Sequence, residues 1–404
     1  MFTLIPVNHF MNISFRFFVP RSRRFFPAVL VMFAGAFLMF SCSHSSPYYA
    51  KKEFKPQPLT VDSTDFQQRF LLIGDAGGPL PGEPVLKQLT EWAAMAPQKT
   101  TVLFLGDNIY PAGLVRPDSS AYADRKRRID AQLSVANSSG ARGIFIPGNH
   151  DWDDSGPDGL NTLARQAEYV INALGDPQSF LPEPGCPGPA VLDIGQVRLI
   201  VLDSEWWLNK FEKGSGCLYP DTAAVLAALD KAIAGAGQRP VLIAAHHPIE
   251  SEGPHGGFYT WTDHVFPLRI LNKSLWIPIP VIGSLYPLGR TYVFRSNQDI
   301  TGPRYKDMRK AFRRVFRRHK PLLYASGHDH SLQIFDGGKD IGYYLLSGAG
   351  TSSKITDAGH NGKTLFSYAH EGFMVVDFLK SGEILLRVVS PENPPVQFEH
   401  FMRH

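Results

Sequence analysis

Two things are scarce in this chain of 404 residues: cysteine, with 3, and net charge, with 41 Lys and Arg against 37 Asp and Glu. The small basic excess sits in the first 41 residues, where Arg16, Arg21, Arg23 and Arg24 occur without an acid or a lysine. The remainder is formally neutral, so it offers no overall attraction to nucleic acid, and a DNA or RNA partner is not expected. No internal repeat is present. The apolar run at residues 25–40 falls short of the roughly 20 residues that span a bilayer. A content of 44% hydrophobic and 19% charged residues excludes a disordered, collagen-like or coiled-coil chain. What the chain has in quantity is 36 Gly and 32 Pro, which predict many turns and long functional loops rather than a helical bundle.

Four arginines followed by a short apolar core read as an export signal. The core stops at Ser41-Cys42, with Ser43, Ser45 and Ser46 behind it, and this resembles a bacterial lipoprotein cleavage site. Met39 and Phe40 depart from the small residues usual before such a cysteine, and an uncleaved signal anchor is the other reading. The expected location is thus the bacterial cell envelope, exported and held to the membrane by lipid on Cys42, facing either the periplasm or the exterior. Cys186 and Cys217 then remain as an even pair outside the reducing cytoplasm and are expected to form a disulfide, two free thiols being the alternative.

Residues 43–65 are polar and proline-bearing, as suits a tether, and the folded domain is expected over 66–395. Strand-like runs at residues 70–73, 101–105, 143–146, 198–202, 241–245 and 321–325 alternate with helix-like stretches at 85–96, 124–136, 160–174 and 222–234, which predicts an α/β fold with buried parallel strands. The tail has strand-like runs without helices between them, at 342–346, 372–378 and 383–389, and predicts an antiparallel completion of a second sheet. Residues 268–305 are apolar and broken by proline, and read as an inserted lid whose tip could meet substrate or membrane, or pack on its own domain. The basic run 309–320 has Phe312, Val315 and Phe316 at helical spacing, so it predicts a helix with a buried stripe and a solvated arginine face.

The informative feature is where polar residues fall relative to the strands. Five strand-like runs end in Gly74-Asp75-Ala76-Gly77, Gly106-Asp107-Asn108-Ile109-Tyr110, Gly148-Asn149-His150-Asp151, His246-His247 and Gly327-His328-Asp329-His330. Ligands bind at the carboxyl ends of strands in open α/β sheets, so these loops should converge. Carboxylates, an amide, imidazoles and a phenol suit a pair of first-row metal ions, since a carboxylate can bridge two ions and a phenolate is a hard donor to a trivalent one. Each short motif is weak alone, and the order of all five carries the argument.

That ordered set resembles the calcineurin-like metallophosphoesterases, and Tyr110 within Gly-Asp-Asn-Ile-Tyr narrows the resemblance to purple acid phosphatases. Residues 326–333 with 346–350 are similar to the small, tartrate-resistant type. The resemblance covers about residues 68–390 apart from the insertion. It implies a four-layer αββα sandwich, two central mixed sheets flanked by helices, and a dinuclear site. Carried over, Asp75, Tyr110 and His330 would bind Fe(III); Asn149, His246 and His328 would bind Fe(II), Zn or Mn; Asp107 would bridge them. His150 and His255 would stand in the outer ring against the phosphate as the catalytic side chains. His247 and Asp329 are motif neighbours without a ligand role, and nothing assigns one to His264 or His360. The implied activity is phosphomonoester hydrolysis by attack of a metal-bound hydroxide, from a monomer acting on a phosphate ester. A phosphodiesterase or nucleotide pyrophosphatase on the same core, and a noncatalytic anion- or metal-binding lipoprotein, are the alternatives.

Overall fold

The computed structural model of the chain describes residues 46–56, 65–270, 274–279 and 282–402. The expected export segment, Cys42 and residues 57–64 of the expected tether lie outside these. Residues 46–404 form one compact unit.

Two mixed sheets stand face to face. In the first, β2 (Phe66–Ile73), β3 (Thr100–Phe104) and β4 (Arg142–Phe145) run parallel, and β12 (Phe373–Leu379), β13 (Ile384–Val389) and β14 (Val396–Met402) continue it antiparallel in the order β14-β13-β12-β2-β3-β4. In the second, β6 (Val197–Val201), β7 (Val241–Ala244), β8 (Leu323–Ser326) and β10 (Tyr343–Ser347) run parallel. Around them lie β5 (Ala190–Ile194), β9 (Leu332–Asp336), β11 (Thr364–Tyr368) and β1 (Tyr48–Tyr49), all antiparallel to their neighbours.

Side-chain alternation explains the layering. In β2, Phe70 and Leu72 face inward and meet Leu242, Ala244 and Leu323 of the opposite sheet, while Leu71 and Ile73 face outward. The outward side is covered by helices α1 (Pro84–Ala94), α2 (Tyr122–Ser139) and α3 (Gly159–Leu174), through Leu89, Leu133 and Leu163 among others. The outer face of the second sheet offers Ile200, Ile243 and Tyr324 to α4 (Thr222–Ala234) and α5 (Pro303–His319), through Leu229, Phe312 and Phe316. Strands buried on both faces read as continuous apolar runs, which is how the parallel ones appear in the sequence. Helix ends follow local chemistry: the Asp221 side chain accepts from the Ala224 N–H at 2.8 Å, and Gly140 and Gly175 close α2 and α3 with left-handed backbone. Among the described residues, all three cores are built from this compact unit.

Four expectations need correction. Residues 46–56 are not a loose tether: β1 pairs with β11, and Phe54 is buried against Phe398 and His400. Aromatic side chains among polar ones made a two-residue strand too short to carry a period. The tail strands are not all antiparallel, because β10 lies parallel to β8, and the domain runs beyond residue 395 since β14 reaches Met402. The basic helix begins at Pro303 within the expected insertion, with proline at the first helical position, where its missing N–H costs nothing. Among the described residues no helix is long and apolar enough to cross a membrane.

Cys186 and Cys217 form a disulfide across a sequence separation of 31. A loop of that length predicts a loss of about 3–4 kcal/mol when the bridge is removed. Cys186→Ser with Cys217→Ser should therefore lower the urea midpoint, and an unchanged midpoint would mean the bridge constrains little.

Candidate metal centre

The carboxyl ends of β2, β3, β4, β7 and β8 meet at one edge, and their loops are stitched together by backbone bonds. The Asp75 N–H donates to the Gly106 carbonyl (2.9 Å) and the Gly327 N–H to the His246 carbonyl (2.9 Å). Asp75, Asp107 and His328 have φ of 59°, 55° and 76°, a left-handed conformation uncommon for these residues that the surrounding bonds impose. Gly106 has φ of 91°, and a Cβ there would lie 2.6 Å from His246 Nδ1, so only glycine lets the loops close this tightly.

Two groups of donors converge. In the first, the Tyr110 hydroxyl lies 3.0 Å from Asp75 Oδ1, 3.3 Å from Asp107 Oδ2 and 3.1 Å from His330 Nε2. In the second, Asn149 Oδ1 lies 3.1 Å from His246 Nε2 and 3.1 Å from His328 Nδ1, and those two nitrogens are 3.2 Å apart. Asp107 stands between them, its Oδ2 toward Tyr110 and its Oδ1 3.4 Å from His246 Nε2. All seven residues named from the sequence as ligands are thus brought together.

The outward ring nitrogens decide what this gathering wants. His246 Nδ1 faces the Leu105 carbonyl (2.8 Å), His328 Nε2 the Gln298 carbonyl (2.7 Å) and His330 Nδ1 the Lys354 carbonyl (2.7 Å). Carbonyls only accept, so each outward nitrogen carries a proton, and each ring, when neutral, turns a lone pair inward. Lone pairs from three imidazoles, an amide oxygen and two carboxylates then crowd together, an arrangement that a cation satisfies. The electrostatics agree. Burial alone would lower His246 and His330, yet Asp107 and Asp75 hold both above the usual imidazole range. Burial alone would raise Asp107, yet His246 and His150 keep it below the usual carboxylate range. Burial, then the carboxylates of Asp75 and Asp107, push the Tyr110 phenol well up. These are signatures of a negative field that calls for positive charge.

A nitrogen of His247 also lies within 4.8 Å of ligand atoms of His246 and His328. Its two nitrogens are already committed, Nδ1 with Ser204 Oγ at 2.8 Å and Nε2 with Gln298 Oε1 at 2.7 Å. Burial, then neighbouring His246, drives it well below the usual range, so it is a neutral support for the site. Asp329 is likewise a brace: it accepts from the Ser251 hydroxyl and, at 3.1 Å, from the His255 N–H. His264 bonds Ser284, and His360 stacks on Tyr48.

His150 and His255 line a cavity of about 420 Å³ with Asp107, Asn149, His328 and His330. His150 packs edge-on against Tyr110, its Nε2 3.8 Å from Asp107 Oδ2. Asp151, named only as part of its motif, is fully buried and accepts from the backbone N–H groups of Asn108 and Gly148 at 3.0 and 2.8 Å, tying two of the loops together.

The remaining wall comes from the proline-broken segment, whose expected contact with substrate is thus one its position allows, although none of its residues is named individually from the sequence. Tyr286, Arg290, Phe294, Gln298 and Asp299 all line the cavity. Asp299 Oδ1 lies 2.9 Å from His255 Nδ1, and Arg290 clasps Asp299 with Nε and Nη2 at 2.9 and 2.7 Å. Gln298 joins three loops: besides His247, its Nε2 donates to Glu205 Oε2 (2.8 Å) and Ser155 Oγ (3.0 Å). No local period marks these residues; the absence of any Asp or Glu in residues 264–298 before Asp299 was the one available signal. Burial pushes Glu205 up to about 8, and Gln298 is the donor that offsets it. Gln298→Ala would leave buried Glu205 and His247 short of partners, a cost of about 1–3 kcal/mol. A urea midpoint equal to that of the unaltered chain would contradict this role.

Residues 68–332 match the family model described as calcineurin-like phosphoesterase, well over half of the chain. The chain belongs to that family. A calcineurin-like phosphoesterase holds a dinuclear metal centre, and the buried His and Asp groups here are its counterpart. Comparison with curated protein sequences gave no significant match. Among solved structures, this phosphoesterase is similar to one described as GAP50, the anchor in the inner membrane complex of Plasmodium (17% identity, TM-score 0.49, covering 84% of this chain and 89% of that one). It is also similar to purple acid phosphatase PPD1 from yellow lupin seeds (14%, 0.49, covering 83% and 53%) and to PhoD (12%, 0.48, covering 85% and 70%).

Proposed function

We propose that this calcineurin-like phosphoesterase is a phosphomonoester hydrolase of the purple acid phosphatase type. The observation that carries the reading is the Tyr110 hydroxyl, set among Asp75, Asp107 and His330 where a phenolate would meet a trivalent ion. The donors fit such a pair of ions. Asp75, Tyr110 and His330 would hold iron(III), Asn149, His246 and His328 would hold iron(II), zinc or manganese, and Asp107 would serve both. When bound, two such ions polarise a phosphate ester and lower the pKa of water.

The chain's own residues do the rest. His150 and His255, on the cavity wall, face the non-bridging oxygens and leaving group of a phosphate seated over the two donor groups. His255 Nδ1 faces two acceptors, the Asp299 carboxylate and the Gln298 carbonyl at 3.0 Å, which keep a proton there, with the Arg290 Nη2 donor also 3.1 Å away. With a second proton on Nε2, the ring can hand that proton to the departing alkoxide and keep the one on Nδ1. Arg290 fixes Asp299 and adds positive charge beside the developing phosphate charge. We place the chain in a cell envelope, lipid-anchored through Cys42 and monomeric.

The test is substrate choice. The chain 46–404, loaded with iron and with zinc or manganese in turn, should turn over a chromogenic aryl phosphomonoester faster than the diester from acidic to neutral pH. Diester preference would move the activity to a phosphodiesterase. Full metal occupancy without turnover of either would make the chain a binding protein.

A further inference from the structure

The cavity wall supplied by the proline-broken segment continues outward as an apolar surface. A short helix, Leu285–Leu288, runs into a wider helical turn, Gly289–Phe294. Within these ten residues Leu285, Tyr286, Leu288, Tyr292, Val293 and Phe294 are each about half or more exposed, Val293 at 71% and Phe294 at 80%. A soluble chain rarely leaves so many large apolar side chains together on its surface. Tyr286 and Phe294 belong at once to this surface and to the cavity wall, so the patch borders the cavity.

Charge distinguishes among the possible occupants. Over residues 264–298 the sequence has Arg269, Lys273, Arg290 and Arg295 and no Asp or Glu, although the chain as a whole is nearly balanced. Arg290 is held by Asp299 at the cavity, so Arg295 is the exposed cation of residues 285–295, and a surface made for a second copy of itself would set that charge against its like. Tyrosine and phenylalanine beside arginine, without acids, is instead the composition that settles at a headgroup layer, where aromatic rings enter the acyl boundary and cations meet anionic lipid. The export and lipid-attachment sequence expected at residues 1–42 points to the same neighbour.

We propose that residues 285–295 dock on an anionic phospholipid bilayer, placing the mouth of the cavity at headgroup level. The docking does not depend on which phosphate ester the cavity takes. Phosphate groups carried on or released at a bilayer surface would be the ones within reach.

The experiment is flotation of the 46–404 chain, which lacks the expected anchor, with vesicles of phosphatidylcholine and phosphatidylglycerol at 7:3 and with pure phosphatidylcholine vesicles. The chain should float with the anionic vesicles and much less with the zwitterionic ones, and raised salt should weaken the binding. The triple variant Leu285→Ser, Tyr292→Ser, Val293→Ser should lower the bound fraction at least ten-fold, and Arg295→Glu should lower it on anionic vesicles alone. Because those side chains are solvent-facing and lie outside the cavity lining, both variants should keep the thermal midpoint and the turnover of a soluble ester, which separates lost docking from lost folding. Absence of flotation, equal flotation with both vesicles, or a triple variant that floats like the unaltered chain would overturn the proposal. So would a concentration-dependent dimer abolished by the triple variant, since the occupant would then be a second copy.

Discussion

Asp107→Ala is expected to lose both metal ions and to lower turnover by on the order of a thousand-fold or more, the equivalent of several kcal/mol of transition-state stabilisation. The reason is position. Asp107 is buried and stands closest to both donor groups, with Oδ2 toward Tyr110 and Oδ1 3.4 Å from His246 Nε2. Asp75, the nearest other carboxylate, is already engaged by the Tyr110 hydroxyl and by the His328 N–H at 2.7 Å. Asp107→Asn separates charge from shape: the amide keeps an acceptor for the His150 N–H, now 2.9 Å from Oδ1, but removes the negative charge that the imidazoles face. Metal content should fall in both variants. Two ions per chain in Asp107→Ala would show that the donor groups are independent and that Asp107 bridges nothing.

The second large effect concerns the cavity wall. His255→Ala should retain both metals while turnover falls by about 10²- to 10⁴-fold, the range for a positioned proton donor. Asp299→Asn should act in the same direction through His255, with a loss of about 10- to 100-fold, as for residues that orient another group. In both, kcat should fall more than KM rises, and the pH dependence of kcat should change in the limb assigned to the acid. Loss of metal from His255→Ala would make it a ligand and contradict the role proposed here. An unaltered pH profile in Asp299→Asn would reduce its contact with His255 to packing.

The parallel strands were legible because strands buried on both faces must be apolar throughout, and 241–245 or 321–325 can hardly be anything else. The donor loops were legible because the α/β fold sends polar residues to one edge, so Asp75, Asp107, Asn149, His246 and His328 announce themselves by following a strand. Gln298, Asp299 and Arg290 did not, because they lie in a segment with no period. Asp299 meets His255 across 44 residues, and nothing local encodes that meeting. For the same reason β1 was hidden: two residues have no alternation to show, and Tyr48 and Tyr49 find their partner strand only through the completed sheet. The parallel placement of β10 was also beyond a local reading, since a strand's own pattern does not say which neighbour it joins.

If Tyr110 serves an iron(III) ion in a dinuclear centre, the iron-loaded chain must show it in its colour. The 46–404 chain should be loaded with iron, its metal content determined and its visible spectrum recorded beside that of Tyr110→Phe. A tyrosinate-to-iron(III) absorption band is expected in the unaltered chain and should disappear in Tyr110→Phe while phosphate-ester turnover is weakened. A band that survives the substitution, or a colourless chain that is active with zinc or manganese alone, would contradict that role of Tyr110.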